Sequence, residues 1–290
     1  MPVAVLMTNP VSPTLDPGAV QTLHRAWGGG SVEWLAPRLA AQFEVPEPPA
    51  DLAVAQADLR AGGVDLCLVP AHGRRKTMLI ADMDSTMIGQ ECIDELADVA
   101  GVGTQVKSVT ARAMNGELDF EGALRERVAL LAGLETEVIA RVLAERIAEA
   151  PGGRRLVATM TAHGAHALLV SGGFTAFSGP VAERLGFHAH QANTLLEAEG
   201  RLTGRVSEPI LGRDAKVEAL EAAATRLGIS AAEVLAVGDG ANDLGMLARA
   251  GMGVALHAKP AVAERSALRI DHGDLTALLY LQGYSADEFA

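Results

Sequence analysis

Met78-Leu79-Ile80-Ala81-Asp82-Met83-Asp84-Ser85-Thr86 turns from apolar to acidic at a single peptide bond, between Ala81 and Asp82. The unbroken apolar run suits a strand buried on both faces, as in a parallel sheet. Asp82 and Asp84 then stand one residue apart, with the hydroxyls of Ser85 and Thr86 behind them. Ligands of open parallel sheets sit beyond the carboxyl ends of the strands. Two carboxylates placed there repel each other unless something positive holds them. A hard divalent cation such as magnesium answers that need, because it takes oxygen ligands and often only one or two carboxylates. One carboxylate can then attack phosphorus while the other moves protons. A solvated turn is the competing reading of so short a motif.

Further strand ends bear on that choice. Leu168-Leu169-Val170 runs into Ser171-Gly172-Gly173-Phe174, where a hydroxyl and backbone N–H groups can face a phosphate. A plain strand-to-helix turn fits the same residues. The Gly-x-Ser-x-Gly frame of a serine-hydrolase elbow fails, because Leu169 stands where its first glycine belongs. Val234-Leu235-Ala236-Val237 ends in Gly238-Asp239-Gly240-Ala241-Asn242-Asp243. That places two more carboxylates at a strand end, although a helix-capping turn would also use Asn and Asp. Lys216 precedes a helix expected over 217–227, where the dipole disfavours a cation. It either meets an anion or points to solvent. His188-Ala189-His190 has no third metal ligand close by and reads as surface-loop histidines. Residues 192–196 and 201–206, separated by Glu199-Gly200, read as a β-hairpin. Strands are expected at 253–256 and 267–270, with a final helix near 275–281.

The gap between the first two parallel strands far exceeds the dozen or so residues of a simple crossover. It reads as a helical cap inserted at about 88–150. Helices are expected at 91–100, closed by Gly101, and at 105–115, closed by Gly116. Two more follow at 120–132, capped by Asp119, and at 135–150, ending in Pro151-Gly152-Gly153. Glu91 either favours a helix N-terminus or meets a ligand. Arg127 has Ala123, Leu124, Leu130 and Leu131 at helical spacing, so no helical ion pair is open to it. It snorkels to solvent, pairs elsewhere in the fold or meets a ligand.

Residues 1–75 read as a separate small α+β unit. Strands at 3–7, 31–35, 41–45 and 64–69, with helices at 18–27 and 50–61, give the βαββαβ order of a ferredoxin-like unit. It holds no catalytic cluster and reads as a structural or dimerising appendage, with small-molecule sensing as the alternative.

Composition narrows the partners. A chain of 290 residues with 49% hydrophobic content can bury a good core. Its net charge of -12 argues against binding nucleic acid by bulk electrostatics, and 3% aromatics leave few stacking platforms. No apolar run approaches transmembrane length and no signal pattern opens the chain. Cys67 and Cys92 lie far apart, which suits a reducing cytoplasm and neither a disulfide framework nor a zinc site.

Taken in order, Asp82-Met83-Asp84-Ser85-Thr86, Ser171-Gly172-Gly173-Phe174, Lys216 and Gly238-Asp239-Gly240-Ala241-Asn242-Asp243 resemble the haloacid dehalogenase-like (HAD) phosphatase superfamily, and within it the phosphoserine-hydrolysing branch. The resemblance runs from about Thr77 to Ala290 and leaves the N-terminal unit out. It implies an α/β fold, a Rossmann-like parallel sheet with the helical cap inserted, over residues 76–290. It also implies magnesium-dependent hydrolysis of O-phospho-L-serine to L-serine and phosphate through an aspartyl-phosphate, the last step of L-serine biosynthesis. Asp82 would be the nucleophile and Asp84 the acid and base. Asp82, the backbone carbonyl of Asp84, and Asp239 would hold the metal, with Asp243 in support. Ser171, Gly172 and Lys216 would hold the phosphoryl oxygens, and Asn242 would add a polar contact. Glu91 would meet the substrate ammonium and Arg127 its carboxylate, with Phe120 beside them. The rivals are a relative acting on another small phosphate, such as phosphohomoserine, and a silent relative that binds an amino acid and regulates a partner. A homodimer is a compatible assembly.

Overall fold

The computed structural model describes residues 1–115 and 117–290. Gly116, expected to close the second cap helix, lies outside the described residues.

The N-terminal part forms β1 (Pro2–Met7), α1 (Pro17–Trp27), β2 (Glu33–Ala36), β3 (Ala40–Glu44), α2 (Leu52–Ala61) and β4 (Asp65–Pro70). Its antiparallel sheet has the order β2-β3-β1-β4, the ferredoxin-like arrangement expected from the element order. Side chains alternate across a strand. Ala4 and Leu6 therefore face Val20, Phe43 and Leu66 under the helices. Val3, Val5 and Met7 face the other way, into the core of the larger sheet. Asp16 caps α1 by accepting from the Ala19 N–H at 2.9 Å, with Pro17 opening the helix.

The larger sheet is built from β5 (Met78–Ala81), β6 (His166–Phe174), β7 (Ala189–Asn193), β10 (Val234–Gly238), β11 (Met252–Leu256) and β12 (Leu268–Ile270). Its order is β12-β11-β10-β5-β6-β7, and each pairing is parallel. Met78 and Ile80 enter one core layer, Leu79 and Ala81 the other. That burial on both faces accounts for the unbroken apolar run. Helices α7 (Gly153–Ala162) and α8 (Thr175–Leu185) flank the sheet, as do α9 (Arg213–Leu227), α10 (Leu244–Arg249), α11 (Pro260–Ala263) and α12 (Ala277–Leu281). The crossover helix α7, not expected from the sequence, buries Leu156, Val157 and Met160.

β6 runs on through Ser171-Gly172-Gly173 to Phe174 where a turn was expected, and the next strand differs as well. Ala192 and Asn193 belong to β7, and the hairpin is β8 (Leu195–Ala198) with β9 (Arg201–Val206). His190 therefore lies in a strand, with its Nδ1 2.9 Å from Ser178 Oγ, and His188 stacks on His166 at 4.7 Å between ring centroids. As the outermost strand, β7 is only partly buried and carries no apolar run to read.

Between β5 and α7 come the cap helices α3 (Cys92–Val99), α4 (Gly103–Met114), α5 (Phe120–Ala129) and α6 (Glu137–Glu145). The two ends of this insert are stitched together, Gly89 N to Ala148 O at 3.1 Å and Ala150 N to Met87 O at 2.9 Å. The β8–β9 hairpin leans on the cap, with Gly133 N to Leu202 O and Leu202 N to Leu134 O both at 2.8 Å.

The two sheets meet through specific bonds. Asp65, buried at the start of β4, accepts from the backbone N–H groups of Asp271, His272 and Gly273 at 2.9, 3.0 and 2.8 Å. Arg74 donates to the carbonyls of Leu281 and Tyr280 at 2.9 and 3.2 Å and to Gln42 Oε1 at 2.8 Å. Among the described residues, no helix is long and apolar enough to cross a membrane.

Candidate active site

Asp82 follows β5 at the carboxyl end of the parallel sheet, where the backbone breaks away sharply and Ser85 takes a φ of 56°. Its Oδ1 accepts from the Met83 N–H at 2.8 Å and lies 2.6 Å from Lys216 Nζ. The same ammonium lies 2.6 Å from Asp243 Oδ1, and the Lys216 side chain is 2% exposed. Lys216 sits in the first turn of α9 despite the dipole, because two carboxylates offset it. Burial alone would lower its pKa, yet Asp82 and Asp243 raise it above the usual lysine range and keep it charged.

Asp243 is anchored from behind. Its Oδ2 accepts from the N–H groups of Asp239 and Gly240 at 3.1 and 2.9 Å. A side chain at Gly238 would overlap the Asp243 carboxylate, so only glycine lets β10 pass this close. Oxygen atoms of Asp82, Asp239 and Asp243 lie within 4.8 Å of one another. Three buried carboxylates with only oxygen donors fit a hard divalent cation. Both oxygens of Asp243 are already engaged, which leaves Asp82 and Asp239 the freer to meet it. Burial pushes the carboxyls of Asp82 and Asp239 up, Lys216 opposing the shift at Asp82 and Lys259 at Asp239.

Asp84 joins three parts of the fold. Its Oδ1 accepts from the N–H of Cys92, the first residue of α3, at 2.9 Å. Its Oδ2 accepts from Ser171 Oγ at 3.0 Å, and Ser171 Oγ accepts from Gly173 N at 2.8 Å. A Cβ on Gly173 would stand 2.7 Å from Asp84 Oδ2, so the glycine is what permits the contact. A Cβ on Gly172 would stand 3.1 Å from Phe120 Cζ, which puts the ring of this cap residue over the last residues of β6.

Glu91 Oε1 accepts from Ser85 Oγ at 2.8 Å. Burial pushes its carboxyl up, and Asp84 adds to the shift. Arg127 Nε donates to Ala123 O at 3.2 Å. Burial lowers its pKa, against the pull of Asp94 and then Glu91. Asn242 lies in the turn after β10, with its Oδ1 close over Gly240. The core candidates thus converge on three strand ends and one helix start, while Glu91, Phe120 and Arg127 approach from the cap.

Sequence reasoning missed two residues here. Asn193 donates to Gly172 O at 2.9 Å and accepts from Leu211 N at 2.7 Å, tying the last residues of β6 to the segment before α9. A lone Asn closing a polar strand gave no signal. Lys259 Nζ lies 3.5 Å from Asp239 Oδ2, and a lysine in a loop is common.

Residues 79–248 match the haloacid dehalogenase-like hydrolase family. The phosphoserine phosphatase of Streptomyces coelicolor is 44% identical over 228 residues, which cover 78% of this chain and 55% of that protein. The chain therefore spans little more than half of that relative's length. A HAD family hydrolase from Salmonella enterica serovar Typhi superposes with a TM-score of 0.87 at 28% identity, covering 97% of this chain and 98% of that one. A phosphoserine phosphatase solved as a phospho-aspartyl intermediate analogue superposes with a TM-score of 0.66 at 38% identity, covering 71% of this chain and 98% of that one.

Proposed function

The chain belongs to the haloacid dehalogenase-like hydrolase family, in its phosphoserine phosphatase branch, and we propose that it hydrolyses O-phospho-L-serine to L-serine and phosphate. The observation that carries the chemistry is the meeting of Asp82, Lys216 and Asp243 beyond the ends of β5 and β10, with Asp84 and Ser171 beside them. Similarity to phosphoserine phosphatases, with Glu91 and Arg127 present in the cap, supports the choice of substrate.

Asp82 attacks phosphorus and the bond from phosphorus to the seryl oxygen breaks. Both contacts described for Asp82 fall on Oδ1, so Oδ2 is the oxygen available to phosphorus. Asp84, protonated, gives its proton to the leaving seryl oxygen. In the second step Asp84 takes a proton from water, the water oxygen bonds to phosphorus, and the aspartyl bond breaks to return Asp82 and release phosphate. Lys216, Ser171 and the Gly172 N–H hold the phosphoryl oxygens as charge develops. Magnesium, held by Asp82, Asp239 and the backbone carbonyl of Asp84 with Asp243 behind, would supply charge stabilisation there. In the cap, Glu91 meets the substrate ammonium and Arg127 its carboxylate, with Phe120 closing over the phosphate turn and Asn242 adding a contact from the core.

This reading takes residues 1–75 as a unit that carries no proposed catalytic group, and places the protein in the cytoplasm. Burial pushes the Cys67 thiol up to about 12 and raises that of Cys92, so both are inert there. The test is phosphate release from O-phospho-L-serine with and without magnesium, beside phosphohomoserine and p-nitrophenyl phosphate. Magnesium-dependent turnover that favours phosphoserine supports the reading; no release from phosphoserine refutes it.

A further inference from the structure

The candidate site is crowded with negative charge. Asp82, Asp84, Asp239 and Asp243 line its floor and Glu91 its roof, while Lys216 is committed to Asp82 and Asp243. Asp239 is served from the rim instead, by Lys259, whose side chain is 62% exposed and whose Nζ lies 3.5 Å from Asp239 Oδ2. We propose that Lys259 is a rim cation with two duties: it neutralises Asp239 before a divalent cation arrives, and it draws in the phosphoryl dianion of the incoming phosphomonoester. The second duty rests on the phosphatase reading; the first does not.

The loop that carries Lys259 is held in place. Lys259 N donates to Asp239 O at 3.2 Å, tying the loop to the turn it serves. Two residues earlier, His257 adopts a φ of 44°, a region a non-glycine residue occupies only when its surroundings impose it. His257 N donates to Ile270 O at 2.8 Å, and its Nε2 lies 2.7 Å from Gly273 O. Gly273 N in turn donates to Asp65 Oδ2 at 2.8 Å, in the N-terminal sheet. These bonds link the loop that carries Lys259, through His257 and Gly273, to Asp65 of the N-terminal sheet.

The two duties predict opposite signs for one substitution. Removing a positive charge beside Asp239 favours a dication there and disfavours a dianion. At an exposed rim, screened by salt, each effect is about three- to tenfold. Calorimetric titration of the full chain with magnesium alone should show Lys259→Met binding the ion about three- to tenfold more tightly than the parent. At saturating magnesium, the same variant should have a KM for phosphoserine raised about three- to tenfold, the loss falling on KM rather than kcat. Lys259→Arg should restore both. A disturbed loop would weaken magnesium and substrate together, and that outcome overturns the proposal, as does magnesium affinity or KM unchanged in Lys259→Met. A parent chain that binds magnesium but releases no phosphate would instead refute the phosphatase reading, with the calorimetric arm still deciding the role at Asp239.

Discussion

Lys216 and Asp82 form a 2.6 Å ion pair in which neither side chain is more than 7% exposed. Lys216→Met keeps the length of the side chain but strands Asp82 and Asp243 as buried like charges. Breaking a buried pair in this way costs about 3–5 kcal/mol of stability. Turnover should fall by at least about a hundredfold, because a donor to the developing charge is lost. Denaturant unfolding and phosphate release check both. The stability deficit should shrink on acidification, since protonating either carboxylate removes the unpaired charge.

Selectivity should divide between core and cap. Arg127→Ala and Glu91→Ala each remove one partner of a desolvated charge contact, worth about 2–5 kcal/mol. On phosphoserine that is a loss of roughly 30- to 5,000-fold in kcat/KM. p-Nitrophenyl phosphate, which lacks both charged groups, should be far less affected. Equal losses on the two substrates would show that these residues hold the cap together rather than read the substrate.

Removing the N-terminal unit should disable the protein without removing a proposed catalytic group. Val3, Val5, Met7, Cys67 and Val69 are buried in the same core as β5 and β6. A chain starting at Gly73 would expose that face and should aggregate or lose most of its stability. Asp65→Ala tests the docking more gently. It strands three backbone N–H groups and should cost about 3 kcal/mol or more in denaturant unfolding.

Magnesium should stabilise the protein more strongly as pH rises. Burial holds the carboxyls of Asp82, Asp239 and Glu91 above their ordinary values of 3.8 and 4.5. For a raised carboxyl the folded state binds more protons than the unfolded one, so stability is full below the unfolded value and falls as pH climbs through the folded one. A bound dication relieves the ionised forms. The gain in Tm on adding magnesium should therefore grow between about pH 4 and pH 7. A gain independent of pH would place the ion elsewhere.

The sequence carried the site better than its surroundings. Asp82, Ser171 and Asp239 stood out because each follows an abrupt end to the apolar run of a strand buried on both faces. Lys216 was legible as a cation in the wrong place on a helix. The partners of Asp84 were not, since Cys92 offers only a backbone N–H and backbone groups leave no mark in a sequence. The strand β7 was misplaced because a half-exposed outer strand needs no hydrophobic run. Asp65 fell inside an expected strand with nothing to set it apart, and its partners lie more than two hundred residues away.

The bonds on Asp84 make its two oxygens chemically unlike. Oδ1 faces the Cys92 N–H, a donor that can never accept, so one of its lone pairs is committed to the backbone. Oδ2 faces Ser171, whose hydroxyl can turn from donor to acceptor by rotating its hydrogen. The flip that would exchange the two oxygens is blocked while both bonds hold, so the side chain keeps one orientation. A carboxyl held this way can give and take a proton without turning, which the proposed two-step reaction asks of Asp84.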